Sequence, residues 1–270
     1  MKELHTLLFC LLVVSSSQSQ SVSTLMGARV HGMGYSSSTL FDSWALFNNV
    51  AGLAKINQPT TSFSYDLRSS IPGANRTAAA FSIPSKYGVV GGGLFRFGDD
   101  LYSESILSAG FSNQFGLASL GLKVNYIQYK AEGFGTKGVF TINFGGLAEI
   151  TPNILVGAYI TNINQPELSE DGDRVPTMLT AGIAFKPTTK MIITTELEKD
   201  LDYDATWKLG AEYFFHEKFC ARTGFNIQPN ASFFGLGFKT SRFLMDYALQ
   251  YNSEINFNHQ ASATYQFNKK

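Results

Sequence analysis

The fold is decided by residues 191–225, which read MIITTELEKDLDYDATWKLGAEYFFHEKFCARTGF. Large apolar side chains alternate there with polar or small ones. The apolar positions are Met191, Ile193, Leu197, Trp207, Leu209, Ala211, Tyr213, Phe219, Ala221 and Phe225. The positions on the other parity are Thr194, Glu196, Glu198, Lys208, Gly210, Glu212, Cys220, Arg222 and Gly224. Because successive side chains of a β-strand point to opposite faces, this period of two predicts three strands.

Two all-β architectures fit such strands. In a soluble sandwich, the apolar face packs on a second sheet and the polar face meets water. In an outer-membrane barrel, the apolar face meets lipid and the polar face lines the lumen. Charges on neighbouring strands, such as Glu212 and Arg222, could then neutralise one another. The period alone does not choose between the two.

The same alternation continues through most of the chain. With the three strands above, it predicts about fourteen strands, most of them near the nine to eleven residues that a tilted strand needs to cross a bilayer. The remaining predicted strands are residues 61–67, 77–83, 87–97, 104–111, 117–129, 139–148, 154–161, 177–185, 232–238, 243–251 and 259–267.

The links between these strands alternate between short and long. Acidic residues collect in the long links and lysines in the short ones, so the two ends of the sheet differ. The short links are residues 84–86, 112–116, 149–153, 186–189, 215–218 and 239–241. This two-ended pattern favours a transmembrane, antiparallel, up-and-down barrel over a sandwich.

The composition agrees with a membrane barrel. The chain has 23 Phe and 12 Tyr but only 16% charged residues, and its formal net charge is zero. Aromatic girdles at the two membrane interfaces would use these side chains, so outer-membrane lipid is an expected partner. The absence of a basic excess argues against binding to nucleic acid.

The first residues indicate export. Residues 1–19 resemble a signal peptide, with Lys2 near the start, an apolar run over residues 7–14, and the small residues Ser17 and Ser19 before the expected cleavage. The run is shorter than the roughly 20 residues that a membrane-spanning helix needs. The predicted location is therefore the cell outer membrane, reached with a cleaved signal peptide.

Residues 20–57 do not alternate and form a predicted compact segment before the barrel at residues 58–270. The segment is rich in glycine and serine. A helix is predicted over residues 42–53, with Asp42 or Ser43 as its N-cap.

Residues 27–54, GARVHGMGYSSSTLFDSWALFNNVAGLA, resemble the opening of a family of outer-membrane barrels. That family includes the FadL-like transporters of hydrophobic molecules and the PorV and PorQ proteins of type IX secretion. The matching residues are Gly27, Ala28, Arg29, Gly32, Met33, Gly34, Asp42, Ala45, Leu46, Phe47, Asn49, Ala51, Gly52 and Leu53, while Val50 replaces the family's proline. The resemblance implies that residues 20–57 fold into the lumen as a hatch that is open to the periplasm.

Two sets of candidate site residues follow. Asp42, Asn49 and Gly52 either hold the turn of the hatch or line a ligand path, and we favour the structural role. The second set consists of charged residues expected to point inward: Lys123, Glu196, Lys208, Glu212, Arg222 and Asp246. It forms either a selectivity surface or a mutually neutralised network that stiffens the wall and seats the hatch; we favour the network.

The sequence predicts neither an enzyme nor a cofactor. The histidines after the signal peptide lack metal-ligand spacing, so no metal site is expected. A hydrolase at the barrel rim would depend on His259 and Ser253, but a histidine at the end of a link is far commoner than a catalytic one.

The resemblance yields two hypotheses about function. The leading one is a non-enzymatic partner subunit in protein secretion or surface assembly, PorV-like, bound to a larger protein. The alternative is a FadL-like channel for hydrophobic small molecules, with a lateral opening where Gly91, Gly92 and Gly93 weaken a strand.

Overall fold

The computed structural model describes residues 22–168, 172, 174–201 and 204–268. The predicted signal peptide lies outside this part of the chain. Fourteen antiparallel strands form a closed barrel in sequence order, and β1 pairs with β14. The strands are β1 (Thr60–Arg68), β2 (Arg76–Ser85), β3 (Gly88–Gly98), β4 (Tyr102–Phe115), β5 (Ala118–Ala131), β6 (Gly135–Thr151), β7 (Ile154–Thr161), β8 (Met178–Thr188), β9 (Met191–Asp200), β10 (Thr206–His216), β11 (Phe219–Asn226), β12 (Ala231–Lys239), β13 (Phe243–Asn252) and β14 (Asn256–Gln266).

Along the strands, the apolar side chains point outward and the polar side chains point into the lumen, as a transmembrane barrel requires. Leu209 is 47% exposed and Tyr247 47% exposed on the outer wall, whereas Lys208 is only 4% exposed inside. A sandwich would hide Leu209 and Tyr247 between two sheets. The predicted barrel of about fourteen strands is therefore confirmed, and the sandwich is excluded.

The strands extend beyond the segments that alternate in sequence. β7 has the predicted bounds, but β6 spans Gly135–Thr151 where residues 139–148 were expected. Its first residues pair with the end of β5, for example Thr136 with Lys130. Backbone pairing continues there without an alternating side-chain pattern, so the sequence pattern alone missed it.

The hatch lies in the lumen and contains two short helices. Helix α1 (Ala28–Gly32) packs mainly against β12 and β13, and a 3₁₀-helix (Val50–Lys55) packs against β4, β5 and β6. Among the described residues, no helix is long and apolar enough to cross a membrane.

The helix predicted over residues 42–53 is wrong. Residues 43–47 form turns, and Asn49 has an extended backbone with φ −89° and ψ 107°. The Asp42 carboxylate accepts a hydrogen bond of 2.8 Å from the backbone N–H of Trp44, which is two residues away. Asp and Asn side chains that bond to the nearby backbone favour turns and caps over helix interiors, which explains the break.

Inward-facing glycines let the hatch backbone approach the wall. Four glycine pairs lie directly opposite one another on adjacent strands: Gly91 and Gly110, Gly121 and Gly145, Gly157 and Gly182, Gly210 and Gly224. A Cβ atom on Gly121 would lie 2.8 Å from the backbone nitrogen of Ala51. The pairs therefore form seats for the hatch.

The lateral opening expected at Gly91 to Gly93 is not present in the described wall. Gly91, Gly92 and Gly93 pair continuously with β2 on one side and β4 on the other. A Cβ atom on Gly93 would lie 2.8 Å from the Phe47 ring of the hatch. These glycines make room for neighbouring side chains and leave no gap in the described wall.

Two adjacent glycines on β6 provide a test of the contact between the hatch and the inward-facing glycines. Gly145 faces the lumen, where a Cβ atom would collide with the Asn49 side chain, whereas a Cβ atom on Gly146 has no neighbour closer than 3.7 Å. We expect Gly145→Val to destabilise the protein by about 1–3 kcal/mol through overpacking and to expose the hatch to protease. Urea unfolding in detergent and limited proteolysis measure both effects.

Gly146→Val is the matched control and should leave both measurements unchanged. Equal behaviour of the two variants would contradict the seating of the hatch on these glycines.

Candidate functional site: the hatch and the lumen

The hatch turn is held to the wall by Asn49. Its side-chain amide donates to the carbonyl oxygens of Ser38, at 2.6 Å, and Gly146, at 2.9 Å. Its side-chain oxygen accepts from the N–H of Ala51 at 3.1 Å and so caps the 3₁₀-helix. Gly52 lies where the hatch chain crosses itself, and a Cβ atom there would be 2.9 Å from the carbonyl oxygen of Leu40.

Three of the predicted network residues meet at one end of the barrel together with two hatch residues. We call Arg29, Asp42, Glu212, Arg222 and Asp246 the arginine cluster. Arg222 donates to Glu212 at 2.6 Å and to Asp246 at 2.7 Å. Arg29 of α1 donates twice to Glu212, at 2.7 and 3.0 Å, and once to Asp42, at 3.3 Å. Glu212 therefore accepts from one arginine of the wall and one of the hatch.

Arg29 stays charged in this position. Burial by itself would lower the pKa of the guanidinium, but Glu212 and Asp42 reverse that effect and raise the pKa above its ordinary value. The bonds between Arg29 and Glu212 are therefore charge-assisted, and they link the hatch to the wall.

Glu196 and Lys208 form a second cluster with Glu198. The ammonium of Lys208 lies 2.5 Å from Glu198 and 3.6 Å from Glu196. Glu196 also accepts from the backbone N–H groups of Ser37 and Ser38 in the hatch, at 2.8 and 2.6 Å. Like Glu212, Glu196 therefore contacts both a cation of the wall and the hatch.

Lys123 lies apart from both clusters. It is 2% exposed and forms no ion pair with any described residue, and its ammonium lies 5.9 Å from the centre of the Phe47 ring. The register explains the separation, because Gly110 and Asn143 are its cross-strand neighbours. The structure thus divides the six expected lumen charges into two clusters and one lone cation.

A third polar cluster was missed at the sequence level. Arg76 forms an ion pair with Asp66 and donates to the hydroxyl of Tyr35 in the hatch at 2.7 Å. The His31 ring stacks on Tyr35 with centroids 4.9 Å apart, and burial lowers the pKa of His31 to about 4, so the ring is neutral at physiological pH. The inward parity of Asp66 in the alternation of β1 was the available signal.

A cavity of about 570 Å³ lies beside the hatch near the long links. Apolar atoms of Phe47, Ile106 and Ile127 form part of its lining, together with the polar side chains of Lys123 and Asn143. It is therefore an amphipathic chamber between the hatch and the ends of the strands.

The described residues contain no group of three or more His, Cys, Asp and Glu side chains that could hold a metal ion. His259 faces the outer wall, where its Nδ1 lies 2.6 Å from the hydroxyl of Tyr247. A rim hydrolase would have needed His259 beside Ser253, and the structure instead places His259 against Tyr247 on the outer wall.

Solved structures share this fold. The Pseudomonas putida toluene transporter TodX aligns with a TM-score of 0.71 and 13% identity, over 93% of this chain and 100% of that chain. The CymD monoaromatic hydrocarbon channel aligns with a TM-score of 0.68 and 13% identity, over 93% and 100% of the two chains. A Pseudomonas aeruginosa FadL homologue aligns with a TM-score of 0.68 and 11% identity, over 92% and 100%.

At such low identity, the likeness is one of fold. No family model and no curated protein matches the sequence. The fold is that of FadL-like hydrocarbon channels, and these structural neighbours are transport proteins.

The arginine cluster makes a direct prediction about stability. In Glu212→Gln, the buried guanidinium of Arg222 and the partly buried guanidinium of Arg29 lose the carboxylate that they share. Breaking a buried ion pair from one side costs about 3–5 kcal/mol. We expect a corresponding loss in the free energy of unfolding, measured with urea in detergent.

Glu217→Gln is the control, because Glu217 lies in the exposed link between β10 and β11. An equal, small effect of both substitutions would show that the arginine cluster does not hold the hatch.

Proposed function

We propose that this protein is an outer-membrane channel for hydrophobic small molecules. The observation that carries the proposal is the chamber of about 570 Å³ beside a hatch inside a closed barrel. The fold similarity to proteins described as a toluene transporter and a monoaromatic hydrocarbon channel supports it.

The lining of the chamber suits a small apolar molecule that carries a polar substituent, because charged side chains such as Lys123 and Glu198 lie beside the apolar ones. Ligand sites combine apolar walls with a few polar groups that fix orientation. Phe47 and Ile127 provide apolar surface, while Asn143 provides an amide that can bond to a polar substituent. We propose that the chamber receives its ligand from the end with the long links.

Passage through the barrel requires the hatch to move. The strands pair all the way around the described wall, and the hatch packs against the inward glycines below the chamber. We propose that the arginine cluster and the Glu196 contacts set the free-energy cost of that movement. Under this proposal, the predicted charges other than Lys123 and the hatch turn of Asp42, Asn49 and Gly52 hold a gate in its closed position.

The outer face supports the outer membrane as the location, since large apolar side chains such as Leu94 and Phe140 are 59% and 62% exposed there. A role as a secretion partner has only the motif at residues 27–54 in its support. Co-purification of a larger secretion protein in mild detergent would favour that role over the channel.

Filling the chamber tests the channel. Thr161 ends β7 and lines the chamber, so Thr161→Trp should occupy it and lower the uptake of radiolabelled toluene by expressing cells by roughly tenfold. Val156→Trp places the same side chain on the outer face of the same strand, where Val156 is 39% exposed, and should leave uptake unchanged.

Toluene uptake no higher than in cells without the protein would overturn the proposal. Equal uptake by the two tryptophan variants would also overturn it.

A further inference from the structure

A groove on the outer wall is separate from the chamber. It has a volume of about 350 Å³ and crosses the five strands β1 to β5. Its apolar part is a row of cross-strand neighbours that face away from the lumen: Phe63, Ala79, Leu94, Leu107 and Tyr126. The small side chain of Ala79 forms a depression, because Phe63 and Leu94 stand on either side of it.

A polar row borders this groove towards the long links. Arg96 pairs with Thr77 on one side and Ser105 on the other, and Ser105 pairs with Gln128. These four residues line the same groove as the apolar row. Arg96, flanked by neutral hydrogen-bonding side chains, therefore borders the apolar depression at Ala79.

Arg96 lacks an acidic partner. It is exposed on the outer wall and forms no ion pair with any described residue. It is also the last side chain on the outer parity of β3, because the next outward position is Gly98. An arginine at the edge of an apolar band extends its guanidinium towards the lipid headgroups.

We propose that this groove binds one anionic, phosphate-bearing membrane lipid. The Arg96 guanidinium binds the phosphate, because its planar fork matches the phosphate oxygens. Thr77, Ser105 and Gln128 offer further hydrogen bonds to the headgroup, and one acyl chain lies in the depression at Ala79. The single unpaired positive charge selects for a lipid with net negative charge. This site depends on the barrel lying in a membrane and not on what the chamber transports.

Native mass spectrometry of the full barrel in detergent tests the site. The probes are phosphatidylglycerol and phosphatidylcholine with the same acyl chains, added in equal amounts. We expect the wild-type protein to retain phosphatidylglycerol over phosphatidylcholine by about five-fold, and Arg96→Gln to abolish this preference. Ala79→Phe should fill the depression and lower the retention of both lipids while Arg96 stays in place.

Arg242→Gln is the matched control, because Arg242 is an exposed arginine in a short link at the other end of the barrel. It should keep the wild-type preference. Electrophoretic mobility before and after heating verifies that each variant is a folded barrel.

Four results would overturn the proposal. The first three are equal retention of the two lipids by the wild type, an unchanged preference in Arg96→Gln, and unchanged retention in Ala79→Phe. Displacement of phosphatidylglycerol by millimolar inorganic phosphate would also overturn it, because it would reveal a phosphate site to which the acyl chain contributes nothing. Since none of these measurements involves transport, failure of the lipid site is distinguishable from failure of the channel.

Discussion

The rest of the structure depends on the contact between the hatch and the inner wall of the barrel. Closing the sheet sends one side-chain parity outward and the other into a narrow lumen. Carboxylates and arginines buried in that lumen would be costly without partners. The wall supplies some of those partners, and the hatch supplies others through Arg29 to Glu212 and through the N–H groups of Ser37 and Ser38 to Glu196. The glycine pairs make room for these bonds by admitting the hatch backbone against the strands.

This arrangement links stability to the proposed function. In the proposed channel, the chamber beside the long links receives the ligand, and the packed hatch closes the way towards the short links. A gate held by charged contacts differs from one held by apolar packing, because water or a ligand can compensate ionic groups when they separate. In the proposed channel, the clusters therefore provide links that are strong in the closed barrel and replaceable during opening.

Much of the barrel could be predicted from the sequence because the side-chain period of two is present in at least part of every strand. The cross-strand meeting of Glu212 and Arg222 also followed from their shared parity and the tight link between their strands. The lone position of Lys123 could not be predicted, since it depends on which residues the register places opposite. The contribution of Arg29 depends on how the hatch folds inside the lumen, and no local pattern encodes that contact.

Two errors have a common physical origin. The helix expected over residues 42–53 and the weak strand expected at Gly91 to Gly93 were both inferred from local propensity. In the structure, tertiary packing decides both. Asn49 bonds to the wall at Gly146 in place of continuing a helix, and Gly93 leaves space for the Phe47 ring of the hatch. In this barrel, inward-facing glycines on adjacent strands are therefore the positions at which the wall contacts the hatch.

The two tryptophans of the chain allow the most direct measurement of the central claim. Trp44 is a hatch residue with 2% exposure, and Trp207 faces outward with 51% exposure. In bilayers of brominated phospholipid, the fluorescence of the Trp44→Phe variant, which retains Trp207, should be strongly quenched. The fluorescence of Trp207→Phe, which retains Trp44, should be unaffected. Equal quenching of both variants, or quenching of Trp44 alone, would contradict a hatch enclosed by a barrel whose apolar face meets lipid.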